Sequence, residues 1–318
     1  MANQSHFDIL KQGKDAWHQW RQQQPLIRPD LSGSYWRRSN LSGVNFYTTD
    51  LRKADLKRAD LSNANLSGAD LREAILQKTN LSQAISIGAD FGGADLRGAI
   101  FKGAKLYQAS FDGADLSQVD LSGQNLSEVS FREAILNGTN FHHANLSLST
   151  FEDASLRGAD LSETNLSMAV LVEVNLSGIN LSKAYCIGVY LRKANLQRAI
   201  LQEVVFCKTN PRWTDNIGGV PGDADLRGAD FSEADMRKAD LRTACLIGAN
   251  FYHANLSEAD LRDANLNRSG LSHVPMYNDG DLDVINFRGT NLSRADLRGV
   301  DLTGVDLSEA DLTGAIFE

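Results

Sequence analysis

The chain has 318 residues, 42% of them hydrophobic, with 32 Lys and Arg against 40 Asp and Glu and a formal net charge of −8. That balance lacks the basic excess of a nucleic-acid binder, and three cysteines in such a length do not make a disulfide framework. No apolar run of signal-peptide or membrane length opens the chain, so a cytoplasmic protein with reduced thiols is expected.

Residues 1–29 follow no repeat. Ser5 with Asp8 has the form of a capping box. Phe7, Leu10, Trp17 and Trp20 fall near one helical face, and Pro25 stops the run. An α-helical cap is predicted over the open end of the repeats that begin at residue 30, because the ends of repeat stacks need covering.

From residue 30 one phrase recurs every five residues: Ala54-Asp55-Leu56, Ala59-Asp60-Leu61, Ala64-Asn65-Leu66, and onward to Ala310-Asp311-Leu312. The Leu or Phe is its centre. A small residue stands two before, and Asp, Asn, Ser or Thr stands just before. Five matches neither the helical period of 3.6 nor the strand period of 2. A chain that turns a corner every five residues points the centre and the small residue inward and the other three outward. Four sides make a coil of about twenty residues, and coils stack at the strand spacing with shared backbone hydrogen bonds. Phe91, Phe111, Phe131 and Phe151 are spaced by twenty, and counting places Phe231 and Phe251 in the same column. Asp and Asn before the centres suit corner positions, where they bond backbone. Cys186, at a centre, should face inward, and Cys207 and Cys245 outward.

Two stretches break the pattern. Across 207–225, Phe206 and Leu226 are still twenty residues apart, and a bulged coil is favoured over an extruded loop. Trp213 is the residue expected to protrude. Across 272–283, with Tyr277 as a second protruding candidate, the register slips by one residue, which requires an insertion. Its acidic run lacks calcium-loop spacing and a closing Glu, so it reads as a turn.

The phrase is that of the pentapeptide repeat family, Ala-(Asp/Asn)-Leu-x-x, which the chain resembles over about nine-tenths of its length. The resemblance implies an all-β solenoid, a right-handed quadrilateral β-helix, here over 30–318 with a cap at 1–29. The non-repeating N-terminal segment is similar to that of bacterial members, cyanobacterial ones above all.

No catalytic, cofactor or metal site is predicted. HExxH, paired-Cys, GxGxxG, GxxxxGK[ST] and GxSxG spacings are absent, and a coil filled with Leu and Phe offers no pocket. Sorted by side, Arg37, Arg38, Lys57, Arg58, Lys78 and Arg97 make one side basic, partly offset by Asp55 and Asp95. Another side is poor in charge, and it carries Tyr47, Ile87, Tyr107, Leu148, Met168, Tyr185 and Ile187. These seven are the candidate partner surface. Ser86 and Cys186 replace Leu on that side, so Ile85 or Ile87 is a candidate to tuck inward. The expected function is a non-enzymatic protein–protein interaction scaffold, a monomer or weak dimer, with an unidentified protein partner. No small-molecule substrate, membrane or direct nucleic-acid binding is expected. Family members that mimic DNA and inhibit DNA gyrase suggest one alternative, and a structural or stress-related solenoid is another.

Overall fold

The computed structural model describes residues 3–206, 224–252, 254–266, 269, 287–300, 302 and 305–317. The chain divides into two compact units, Met1–Ala159 and Asp160–Glu318. In each unit the predicted coil is present. Parallel bridges join a residue to the one twenty later, as in Asp30 with Asp50 and Tyr35 with Asp55 in the first unit, and Asp160 with Asn180 in the second. Twenty residues in steps of five give four sides.

The coil follows from a complete accounting of backbone donors, since a buried N–H left unpaired is costly. Around Leu51, the centre's N–H donates to Asp70 C=O of the next coil (2.8 Å), as does that of Lys53 to Arg72 C=O (2.9 Å). Ala54 N–H closes the corner on Leu51 C=O (3.0 Å), and Asp55 N–H reaches back to Ser34 C=O (2.8 Å). The fifth donor, Arg52 N–H, is taken by the Asp50 carboxylate (3.1 Å). This is the structural reason for Asp or Asn before each centre. The same bond recurs at Ser32 on Asp30, Ser67 on Asn65 and Ser232 on Asp230.

The third residue of nearly every described corner has positive φ, 66° at Gly33 and 58° at Lys53, the signature of a type II turn. Glycine takes that conformation freely. Lys, Glu, Arg and Gln hold it at about as many corners as glycine does, where the N–H is locked to the neighbouring coil, as Lys53 is.

Inside the first unit the first side stacks Phe91, Phe111, Phe131 and Phe151, with centroids 4.9, 5.5 and 5.1 Å apart and planes within 16°. Phe101 and Phe141 enter from the third side and meet this stack edge-on, at 6.0 and 5.7 Å from Phe111 and Phe131. Stacked and edge-to-face rings from opposite sides fill the width of the coil, and all six are buried. Small residues at the second inward position, such as Ala64, Ala94 and Ala114, leave room for them. Thr79 and Thr139 stand at that position too, and donate Oγ1 to the Leu56 and Leu116 carbonyls.

Ser86 keeps its place at a centre. It is fully buried while Ile87 stays exposed and Ile85 half-buried, so neither isoleucine tucks inward. Backbone bonds of Ser86 and Gly88 to Lys105 and Tyr107 fix the corner and leave no slack for such a shift. The Ser86 Oγ has no hydrogen-bond partner. Replacing Ser86 with Ala removes a buried unsatisfied hydroxyl and is expected to stabilise the protein by about 1 kcal/mol. Urea unfolding checks this, and a lower midpoint would contradict it.

In the second unit two register changes appear. Tyr190 pairs with Asp225 and Ile200 with Asp235, thirty-five residues on rather than twenty. The repeat thus resumes at Ala224 fifteen residues late, and residues 207–223, with the choice between a bulged coil and a loop, lie outside the described residues. Phe231 and Phe251 stack at 5.2 Å, but Leu196 N–H donates to Asp230 C=O. They therefore stand on the column of Leu196, not on that of Leu191, where counting in twenties from Phe151 leads. Further on, Asp260 pairs with Asn291, and Asn265 with Asp296, thirty-one residues on. This is the insertion that the one-residue slip requires. Trp213, Tyr277 and Cys207 lie outside the described residues. Cys186 is buried and Cys245 half-exposed, both free thiols.

Candidate interaction surfaces

Two features of the first unit stand out from the repeat: the cap on its first coil and the uneven distribution of charge over its sides.

The cap is two helices, α1 (Gln4–Lys11) and α2 (Lys14–Gln23), rather than one. Gly13, at φ 110°, breaks the run between them. Asn3, not Ser5, is the N-cap of α1, and its side chain accepts from Ser5 and His6 N–H. Ser5 already lies within the first turn, so it has no role as a cap. Phe7 packs on Trp36 (4.9 Å) and Trp17 on Phe46 (6.0 Å), while Leu10 is buried.

Cap side chains also complete the hydrogen bonds of the first coil. Trp17 Nε1 donates to Asn45 C=O (2.7 Å), and His18 Nε2 accepts from Asn45 N–H (3.0 Å). His6 Nδ1 accepts from Asp30 N–H (3.0 Å), and Asn3 N–H donates to Asp30 C=O (3.1 Å). Arg21 donates to the Ile27 and Tyr47 carbonyls at 2.9 and 2.8 Å. Polar side chains thus take the positions that a preceding coil would fill, which removes an exposed sheet edge.

Charge is concentrated on two sides of the first unit. The side centred on Leu31, Leu51 and Phe91 and the side centred on Trp36, Leu56 and Leu96 bear charges at nearly every coil. Most Asp there are paired. Arg52 forks onto Asp50, Arg72 onto Asp70, and Arg97 onto Asp95, each through Nε and a terminal nitrogen. Several reach the next coil as well, as Arg72 to Asp90 and Arg97 to Asp115. In the second unit the same fork recurs at Asp225–Arg227, Asp235–Arg237, Asp240–Arg242, Asp260–Arg262 and Asp296–Arg298.

Hydrogen bonds from Arg97, Arg227 and Arg298 hold the carboxyls of Asp95, Asp225 and Asp296 below the usual range. A depressed carboxyl contributes stability that is present above the unfolded value, about 3.9, and lost as pH falls through the folded one. Thermal stability should therefore be flat from pH 7 to about 5 and fall below about 4. Asn at all three positions keeps the backbone bond and should flatten the acid limb. An unchanged acid limb in that triple variant would contradict the assignment.

The remaining two sides of the first unit are nearly uncharged. On the side centred on Phe46 to Leu146 only Lys105 and Glu128 are charged, and on the side centred on Leu41 to Phe141 only Asp60, Lys102 and Asp120. The charge-poor surface thus spans two sides rather than the single one expected. Of the candidate partner residues, Tyr47, Ile87 and Leu148 are exposed. Tyr107 is half-buried and donates its hydroxyl to Glu128 (2.8 Å), which Gln108 also bonds (2.8 Å). In the second unit Tyr185 is exposed, whereas Met168 and Ile187 are half-buried. Within the second unit, the side centred on Cys186 and Phe206 takes up Asp240, Arg242, Asp260 and Arg262 past the first register change. Exposed Ile100 lies on the second charge-poor side, and exposed Tyr35 and Ile135 lie on a charged one. Among the described residues, no helix is long and apolar enough to cross a membrane.

The sequence matches the model for pentapeptide repeats over residues 26–58, 49–85, 169–206, 222–246, 244–278 and 281–318. A model for a pentapeptide repeat region covers 87–161 and 104–181. No curated protein matches the chain. Among solved structures it is similar to HetL, a pentapeptide repeat protein involved in heterocyst differentiation regulation from the cyanobacterium Nostoc sp. strain PCC 7120. Identity is 30% over 79% of this chain and 92% of that one, with a TM-score of 0.22. Full-length QnrB1, a plasmid-mediated fluoroquinolone resistance protein, is 18% identical over 80% and 91%, with a TM-score of 0.26. A pentapeptide repeat protein from the Arabidopsis thaliana thylakoid lumen is 27% identical over 40% and 70%, with a TM-score of 0.22. The family models account for most of the repeating chain, and the protein belongs to the pentapeptide repeat family.

Proposed function

We propose that this protein is a non-enzymatic scaffold that docks a protein partner on the two charge-poor sides of its first unit. In this reading it is cytoplasmic, a monomer or weak dimer, and its coils have the right-handed sense that the family implies. The observation that carries the reading is the segregation of charge. A solenoid corner accepts any solvated residue, yet two sides hold ion-paired ladders and two are left with Tyr, Ile, Leu, Asn and Ser. Exposed apolar groups among uncharged neighbours favour association, and aromatic anchors dominate interface energies.

The Asp–Arg forks weigh against mimicry of DNA acting on gyrase. A duplex presents unneutralised phosphate charge along its length. Here the regularly spaced carboxylates are engaged by guanidinium groups two residues away. Such exposed pairs contribute little stability, and their main consequence is to cancel charge.

The test is photo-crosslinking in the native cell, with benzoyl-phenylalanine at Ile87 or Leu148 and, as controls, at Lys57 or Arg97. The proposal expects discrete crosslinked proteins from the first pair of positions and not from the second. Crosslinks absent from Ile87 and Leu148, or equal at all four, would refute it.

A further inference from the structure

The strongest unexplained group is a buried cation. Arg21 is only 8% exposed, and its Nε has no hydrogen-bond partner. Its terminal nitrogens donate to two neutral backbone carbonyls, of Ile27 and Tyr47. No carboxylate lies within ion-pair distance of it among the described residues. On the repeat, by contrast, Arg52, Arg72 and Arg97 each find an Asp. Burial pushes the Arg21 guanidinium below its ordinary value, as expected for charge taken from water without a counter-charge.

Arg21 lines a cleft of about 440 Å³ between α2 and the first coil, walled by His18, Gln22, Pro25, Asn45 and Tyr47. None of the wall is acidic, and its polar groups are chiefly donors. Asn45 Oδ1 already accepts from Tyr47 N–H (3.1 Å), which leaves the Nδ2 amide to donate. Among the described residues, the Gln22 amide and the Tyr47 hydroxyl make no hydrogen bond. His18 Nε2 accepts from Asn45 N–H, so its own hydrogen is on Nδ1. Pro25 and the Tyr47 ring add an apolar wall. The two terminal nitrogens of Arg21 each keep a second N–H beyond the bonds to Ile27 and Tyr47, and such a guanidinium flanked by amides is matched by a planar anion with two oxygens.

We propose that this cleft is a carboxylate-binding site, with Arg21 as the cation and the side-chain amides of Asn45 and Gln22 as flanking donors. The ligand is a carboxylate carried on a short apolar group, either a small organic acid or the C-terminus of a peptide. The cleft borders one docking side through Asn45 and Tyr47, and titration at Arg21 and crosslinking at Ile87 and Leu148 test the two readings separately.

The test follows the Arg21 Nε–H and Trp17 indole N–H by proton–nitrogen NMR while acetate is added, against chloride at equal ionic strength. A parallel arm adds an alanine tripeptide with a free or an amidated C-terminus. The expected result is a saturable shift with acetate or with the acid tripeptide, and none with chloride or the amide. Saturation by acetate points to a small acid, and by the acid tripeptide alone to a chain end. Gln22→Glu, at an exposed position, places a carboxylate beside Arg21 and should weaken binding at least 10-fold without loss of fold. A linear response to every probe would overturn the proposal, as would equal binding of the amide or unchanged affinity in Q22E.

Discussion

Replacing Phe131 with Ala is expected to cost about 3–5 kcal/mol. Phe131 has Phe111 at 5.5 Å on one face, Phe151 at 5.1 Å on the other, and Phe141 edge-on at 5.7 Å. No side chain can swing into the space, because each neighbouring column is pinned by intercoil hydrogen bonds, such as Phe131 N–H to Thr150 C=O and Glu133 N–H to Glu152 C=O. The lost ring leaves a cavity between rigid layers, and such cavities carry the upper range of large-to-small costs. Urea unfolding followed by circular dichroism measures it. A change below about 1 kcal/mol would mean that the coil interior collapses around the gap.

Deleting residues 1–25 is expected to turn the protein into a self-associating one. The deletion uncovers Trp36 and Phe46, which lie against Phe7 and Trp17. It also frees the groups of Asp30 and Asn45 that His6, Trp17 and His18 now satisfy. An open parallel edge with an apolar floor is a template for another chain. Size-exclusion chromatography with light scattering should show dimers or larger species, with a lower thermal midpoint. A truncated chain that stays monomeric and equally stable would show that the two helices are an appendage.

The period of five carried the fold in plain view because each repeat spends its residues in the same way: two inward, one capping a backbone N–H, two at the corner. The cap was legible from Phe7, Leu10, Trp17 and Pro25, and Gly13 marked the break between its helices. The bonds of His6, Trp17, His18 and Arg21 to the first coil were not legible, since they depend on how the helices lie across it. The register change after Phe206 was hidden by a coincidence of length. Leu226 follows Phe206 by four repeats' worth of residues, the same count as one coil, so only the pairing of Tyr190 with Asp225 reveals that the stack advances one side. The pairing of charge was within reach: Asp-Leu-Arg recurs at Asp50, Asp70, Asp95 and Asp225, and an i, i+2 spacing across a tight corner brings guanidinium and carboxylate together. The cleft at Arg21 left no mark, because a lone Arg on a helix is ordinary until its neighbours are known.

The assignment of every outward residue to a side rests on a four-sided coil and on its register after Phe206. The most direct test is deletion of residues 207–221. Pairing of Tyr190 with Asp225 means that removing fifteen residues restores the twenty-residue spacing across the junction. The predicted result is a folded protein with an unchanged thermal midpoint and a crystal structure in which Phe231 still lies over Leu196. If those residues instead form a coil of the stack, the deletion strips three of its sides. A fall in midpoint, with Phe231 displaced to another column, would contradict the register and the faces drawn from it.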